Sequence, residues 1–108
     1  MRQKYQIIQD AATNKLKIRE YAIIDKNLKN TETSVLQDSD YCLLYEEIYD
    51  GSEITNSMSI GTGALISALR TTAFFPIAPN AVKIAESVIS LYASKKGDSV
   101  DLFFDDAA

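Results

Sequence analysis

The stretch Asp50–Gly97 most constrains the fold, because its apolar residues recur with helical period while its ends carry helix stop signals. The period predicts two helices joined by the apolar connector Thr71-Thr72-Ala73-Phe74-Phe75-Pro76-Ile77-Ala78. Asp50 can accept a hydrogen bond from a free backbone N–H, and Glu53 follows three residues later. Ile54, Met58, Thr62, Leu65, Ala68, Leu69 and Thr72 then fall on one arc that should face a sheet. On the opposite side Ser59, Gly63 and Ser67 stack into a ridge of small side chains. Gly61 and Gly63 each cost roughly 1 kcal/mol inside a helix. Close packing along the ridge would compensate; a break at Gly61–Gly63 is the alternative.

The second helix should start near Pro79, which suits a first turn, and end at Lys95-Lys96-Gly97. Val82, Ile84, Ala85, Val88, Ile89, Leu91 and Tyr92 cover more than half its circumference. Lys83, Glu86, Ser87, Ser90 and Ser94 leave a narrow polar strip. Such a helix is wedged between elements or lies in a subunit interface.

Upstream the period changes to two. Lys4–Gln9 reads as a strand, Asp10–Asn14 as a turn with Asn14 left-handed, and Lys15–Asp25 as a second strand. Leu16 and Ile18 alternate with Lys17 and Arg19. The apolar phase then moves to Tyr21 and Ile23, which predicts a bulge near Arg19–Glu20. A helix over Lys15–Lys26 competes with the strand. Asp25–Ser39 reads as a loop interrupted by Val35-Leu36. Tyr41–Tyr49 fits both periods. Its aromatics and the turn at Asp50–Gly51 favour a strand. Ser99–Asp105 closes the chain as a strand, with Val100, Leu102 and Phe104 on one face and Phe103 on the other. It should pair with the opening hairpin.

The expected fold class is therefore α+β, in the order β-β-β-α-α-β. A mostly antiparallel four-stranded sheet carries two helices on one face. At 108 residues, 46% hydrophobic and 24% charged, the expectation is one domain with one core. No apolar run reaches a bilayer's thickness, and the opening Met-Arg-Gln-Lys-Tyr lacks a signal-peptide core. With a lone cysteine, Cys42, these features point to a cytoplasmic protein without a membrane partner. Cys42 sits among apolar residues and is expected to be buried.

The absence of histidine removes the commonest general base, and one cysteine removes clustered thiolate metal sites. The reading leans away from an enzyme and implies no cofactor and no metal. Ser59-Ile60-Gly61-Thr62-Gly63 lacks the full pattern of a phosphate loop. Glu46, Glu47, Asp50 and Glu53 cluster, but their spacing matches no calcium loop. Arg70 sits where a cation meets the negative end of a helix dipole.

The net charge of −4 argues against nucleic acid as a partner. Its distribution is uneven. Residues 1–30 hold seven Lys and Arg against three acids, whereas 31–69 hold seven acids and no base. A basic hairpin beside an acidic strand explains this, as do opposed patches through which copies dock.

Six tyrosines and the apolar groups Phe74, Phe75, Ile77 and Phe103 suggest more apolar surface than one copy can hide. The leading expectation is a non-catalytic interaction or regulatory module that self-associates or binds another protein through those four residues. The alternative is a small-ligand site, or an enzyme, in a helix–sheet pocket lined by Tyr41, Tyr45, Glu46 and Arg70.

Overall fold

The computed structural model describes residues 2–23, 41–71, 75–77, 79–94 and 99–105. Its elements are β1 (Arg2–Asp10), β2 (Lys15–Ile23), β3 (Tyr41–Asp50), α1 (Gly51–Ile60), α2 (Thr62–Leu69), α3 (Asn80–Ser94) and β4 (Ser99–Asp105). The four strands form one antiparallel sheet in the order β3-β2-β1-β4. After β3 the chain crosses one side of the sheet as three helices and returns as β4 against β1. Among the described residues, that leaves β3 and β4 as the two edges.

Alternation selects the buried face. Tyr5 and Ile7 of β1, Leu16 and Ile18 of β2, Tyr49 of β3 and Phe104 of β4 all point to the helices. Ile54, Leu65, Leu69, Ile84, Ala85, Val88 and Leu91 meet them from above. Phe75 joins this cluster at 5% exposure, so its ring plugs the core. Burial of one large side chain of this kind contributes about 1.5–3 kcal/mol.

The stretch read as one helix up to Thr72 is two. Gly61 has φ 153° and ψ 172°, a conformation open almost only to glycine, and it separates α1 from α2. The ridge of Ser59, Gly63 and Ser67 is exposed, and nothing lies within 4 Å of a Cβ placed on Gly63. Breaking the helix, not close packing, accounts for the glycine at 61. Thr62, expected on the buried arc, is exposed as well.

The start of α1 agrees with its sequence signal. Asp50 caps it, accepting from the Ser52 N–H at 2.8 Å. Asn14 adopts φ 54° in the hairpin turn, and its carbonyl accepts from the Gly51 N–H at 2.9 Å. A Cβ on Gly51 would lie 2.2 Å from Asn14 Oδ1 and 2.7 Å from Asn14 O. Glycine there lets the turn of the first hairpin lock onto the junction of β3 and α1.

The irregularity falls at Glu20/Tyr21, close to the expected Arg19–Glu20, but the extra residue is on β3 rather than β2. The β1–β2 register runs unbroken from Gln3↔Ala22 to Asp10↔Lys15. The irregularity lies between β2 and β3, where Glu20 pairs Tyr45 and Tyr21 pairs Leu43, leaving Leu44 as the extra residue. Because β2 itself keeps its phase, Tyr21 stays on the face of Lys17 and Arg19, and Glu20 turns inward. Cys42, expected to be buried, is exposed beyond this bulge. Val35-Leu36 and the Lys95-Lys96-Gly97 cap lie outside the described residues. No described helix is long and apolar enough to cross a membrane.

Candidate functional site

The side of the sheet away from the helices is built by the other half of each alternation. β1 contributes Lys4, Gln6 and Ile8; β2 contributes Lys17, Arg19 and Tyr21; β3 contributes Leu43, Glu46 and Ile48; β4 contributes Asp101 and Phe103. At one end Lys4 is ringed by aromatics. Its Nζ lies 4.4 Å from the Tyr41 ring centre, 5.5 Å from Tyr21 and 6.0 Å from Phe103. Asp101 approaches it to 3.7 Å. Cation–π contacts of this kind are worth about 0.5–1 kcal/mol each when exposed. They partly cover Phe103, which remains 39% exposed.

In the middle of this face Arg19 pairs with Glu46 directly across from it. The hydrogen bond from Arg19 holds the Glu46 carboxyl below the usual Glu range and raises the guanidinium. Gln6 Oε1 accepts from Arg19 Nη1 at 3.3 Å and from the Tyr21 hydroxyl at 3.4 Å. At the far end the hairpin turn Asp10–Thr13 curls beside Ile8, Lys17 and Ile48 around a cavity of about 690 Å³.

β3 adds apolar surface along its length: Leu43, Leu44 and Ile48 are each about half exposed. β4 differs. A groove of about 540 Å³ runs between it and α3, walled by Ser87, Ser90, Leu91 and Ser94 on one side and Val100 and Leu102 on the other. The polar strip read from the sequence of α3 is this wall.

The residues expected to form an interaction surface separate. Phe75 is in the core and presents almost no surface. Ile77 is 78% exposed, ahead of α3 and off the sheet. Phe103 is on the open face, and Phe74 lies outside the described residues. The residues of the alternative pocket do not converge. Tyr41 and Glu46 are on the open face, Tyr45 is on the helix side opposite Glu20, and Arg70 is exposed at the end of α2. Neither the groove nor the hairpin cavity includes any of the four in its wall. The acids Glu46 and Glu47 likewise point to opposite faces by alternation, and Asp50 is used as a cap.

One buried polar group escaped the sequence reading. Glu20 is 6% exposed on the helix side of β2. The Tyr5 hydroxyl donates to it at 2.6 Å and Gln3 Nε2 at 3.3 Å. Burial, followed by that hydrogen bond to Glu20, pushes the Tyr5 hydroxyl far above its ordinary value. Burial, with the charge of Glu20 next, also raises Tyr45. The available signal was Glu20's place between Ile18 and Ala22, both inward; the expected phase shift concealed it.

No protein-family model matches the chain, and comparison with curated proteins and with solved structures found no match.

Proposed function

We propose that the protein is a non-catalytic interaction module that self-associates through the open face of its sheet. The observation that supports this reading is the apolar stripe on β3. Leu43 and Ile48 are 51% and 55% exposed on the side that no described helix covers, and Leu44 is 48% exposed at the bulge. Charge is also suited to a second copy. The face carries Lys15, Lys17 and Arg19 on β2 beside Glu46 on β3, so a two-fold arrangement can set the basic row of one copy over the acid of the other. Phe103 extends the apolar surface to the opposite edge.

The test is light scattering after size exclusion at tens of micromolar, on the parent and on Ile48→Asp. A dimer or higher species that Ile48→Asp converts to a monomer of unchanged melting temperature supports the reading. A parent that elutes as a monomer at that concentration rejects it.

A further inference from the structure

We infer that β4 and the groove between it and α3 receive an extended peptide in which apolar side chains alternate with Lys or Arg. Three observations meet there. First, β4 pairs β1 through seven consecutive residue pairs without irregularity and is the last strand of the sheet among the described residues. In an antiparallel ladder the backbone groups of alternate residues of such a strand point away from its neighbour, and along residues 100–104 they face the side on which another strand can pair.

Second, the space a guest strand needs is present. Side chains on its helix-facing side would enter the 540 Å³ groove beside Val100, Leu102 and Leu91. The serines opposite make few demands of their own. Ser87 Oγ donates to the Lys83 carbonyl at 3.0 Å, and Ser94 Oγ to the Leu91 carbonyl at 2.8 Å. With these two hydroxyls bonded to their own helix, Ser87 and Ser94 form a low wall against which apolar side chains lie without stranding a polar group.

Third, charge selects the guest. Ser99–Asp105 contains two aspartates and neither Lys nor Arg. The Asp101 side chain, 3.7 Å from Lys4 Nζ, keeps 43% of its surface exposed on the open face, where a guest's alternate residues would lie beside it. Glu86 adds a carboxylate at the groove, while Lys83 is directed at the Phe104 ring, 5.8 Å from its centre. A second copy's β4 fits less well, since it would set two aspartate-bearing strands lacking any base against each other. A basic, apolar-alternating segment satisfies both faces of the strand.

The test uses the full chain and a short fluorescent peptide alternating Val and Lys. Its controls are a Val/Glu peptide and one with the Val/Lys residues grouped into two blocks. The alternating Val/Lys peptide should bind at least roughly tenfold tighter than either control. Ser90→Arg, at an exposed position on α3, should weaken binding by a similar factor with the melting temperature unchanged. Asp101→Asn should lose a few-fold and flatten the salt dependence. Amide exchange should slow in Ser99–Asp105 on binding. Equal affinity for either control, indifference to Ser90→Arg, or new protection confined to Tyr41–Asp50 would each overturn the inference. So would β4 protection that grows with protein concentration alone, the sign of a second copy at this edge. The edge and groove of β4 lie apart from the β3 stripe that carries the self-association reading: a monomer that binds the peptide sinks only that earlier reading, and a protein that ignores it at concentrations where it is monomeric sinks only this one.

Discussion

The two edges of the sheet solve the same problem differently. β3 is the longer strand and carries the more exposed aliphatic surface, yet its ladder is interrupted. Leu44 has no counterpart on β2, and a bulge of this kind twists an edge away from regular pairing. β4 is shorter and shows less apolar surface, yet its ladder is regular and a groove runs beside it. Exposed side chains and an available backbone edge are therefore separate properties. β3 offers the first, suited to contact through its face. β4 offers the second, suited to adding a strand.

Deleting Leu44 should break this contrast most sharply. It would let Tyr45 and Leu43 follow one another opposite Glu20 and Tyr21, turning β3 into a regular, apolar edge. The expected outcome is association that rises steeply with concentration in dynamic light scattering, and elution identical to the parent would remove the guarding role of the bulge. Phe104→Ala should be the largest change in stability. The residue is 7% exposed and meets the Tyr5 ring edge-on at 5.5 Å. Losing it should cost about 3–5 kcal/mol in chemical denaturation, with β4 exchanging its amides before β3.

Gly51→Ala tests how the other edge is anchored. Its new methyl would meet Asn14, including that residue's carbonyl oxygen at 2.7 Å. A loss of roughly 1–3 kcal/mol is expected from such overpacking. A neutral result in thermal denaturation would show that the hairpin turn can move away freely.

The smallest effect should come from Glu46→Gln, which removes the cross-strand partner of Arg19. An exposed pair like this is worth roughly 0.2–1 kcal/mol after solvent screening. Because Arg19 holds the folded-state value of Glu46 below its ordinary 4.5, the stabilisation is present above that pH and is lost as pH falls through the folded value. Denaturation midpoints of parent and variant should therefore differ at neutral pH and converge in acid; a constant gap across that range would mean the ion pair is not its source.

Much of the framework was legible in the residues. Asp50 before Gly51 announced the start of α1, Asn14 the left-handed turn, and the alternation of Val100, Leu102 and Phe104 the inward face of β4. Tyr41–Tyr49, which fits two periods, resolved as β3, the strand its aromatics favoured. The errors arose where two local explanations suited the same pattern. Gly61 and Gly63 fitted close packing or a break, and only the backbone of Gly61 separates them. The apolar Tyr21 and Ile23 suggested a bulge inside β2, but the extra residue belongs to its neighbour, so an acid went inside and a tyrosine outside. Of the apolar residues singled out, Phe103 lies on the face opposite Phe104, as its alternation implied, while Phe75 is buried in the core.

From the order of its side chains alone, this protein had an α+β class, four strands, a capped helix start and the two faces of β4. Period and turn chemistry act over a few residues, so they are written locally. The tertiary structure alone decided which face the helices cover, which edge carries a bulge and which phenylalanine remains visible. Those outcomes depend on contacts between residues far apart in the chain, such as Glu20 with Tyr5 or Gly51 with Asn14, and no local pattern specifies them.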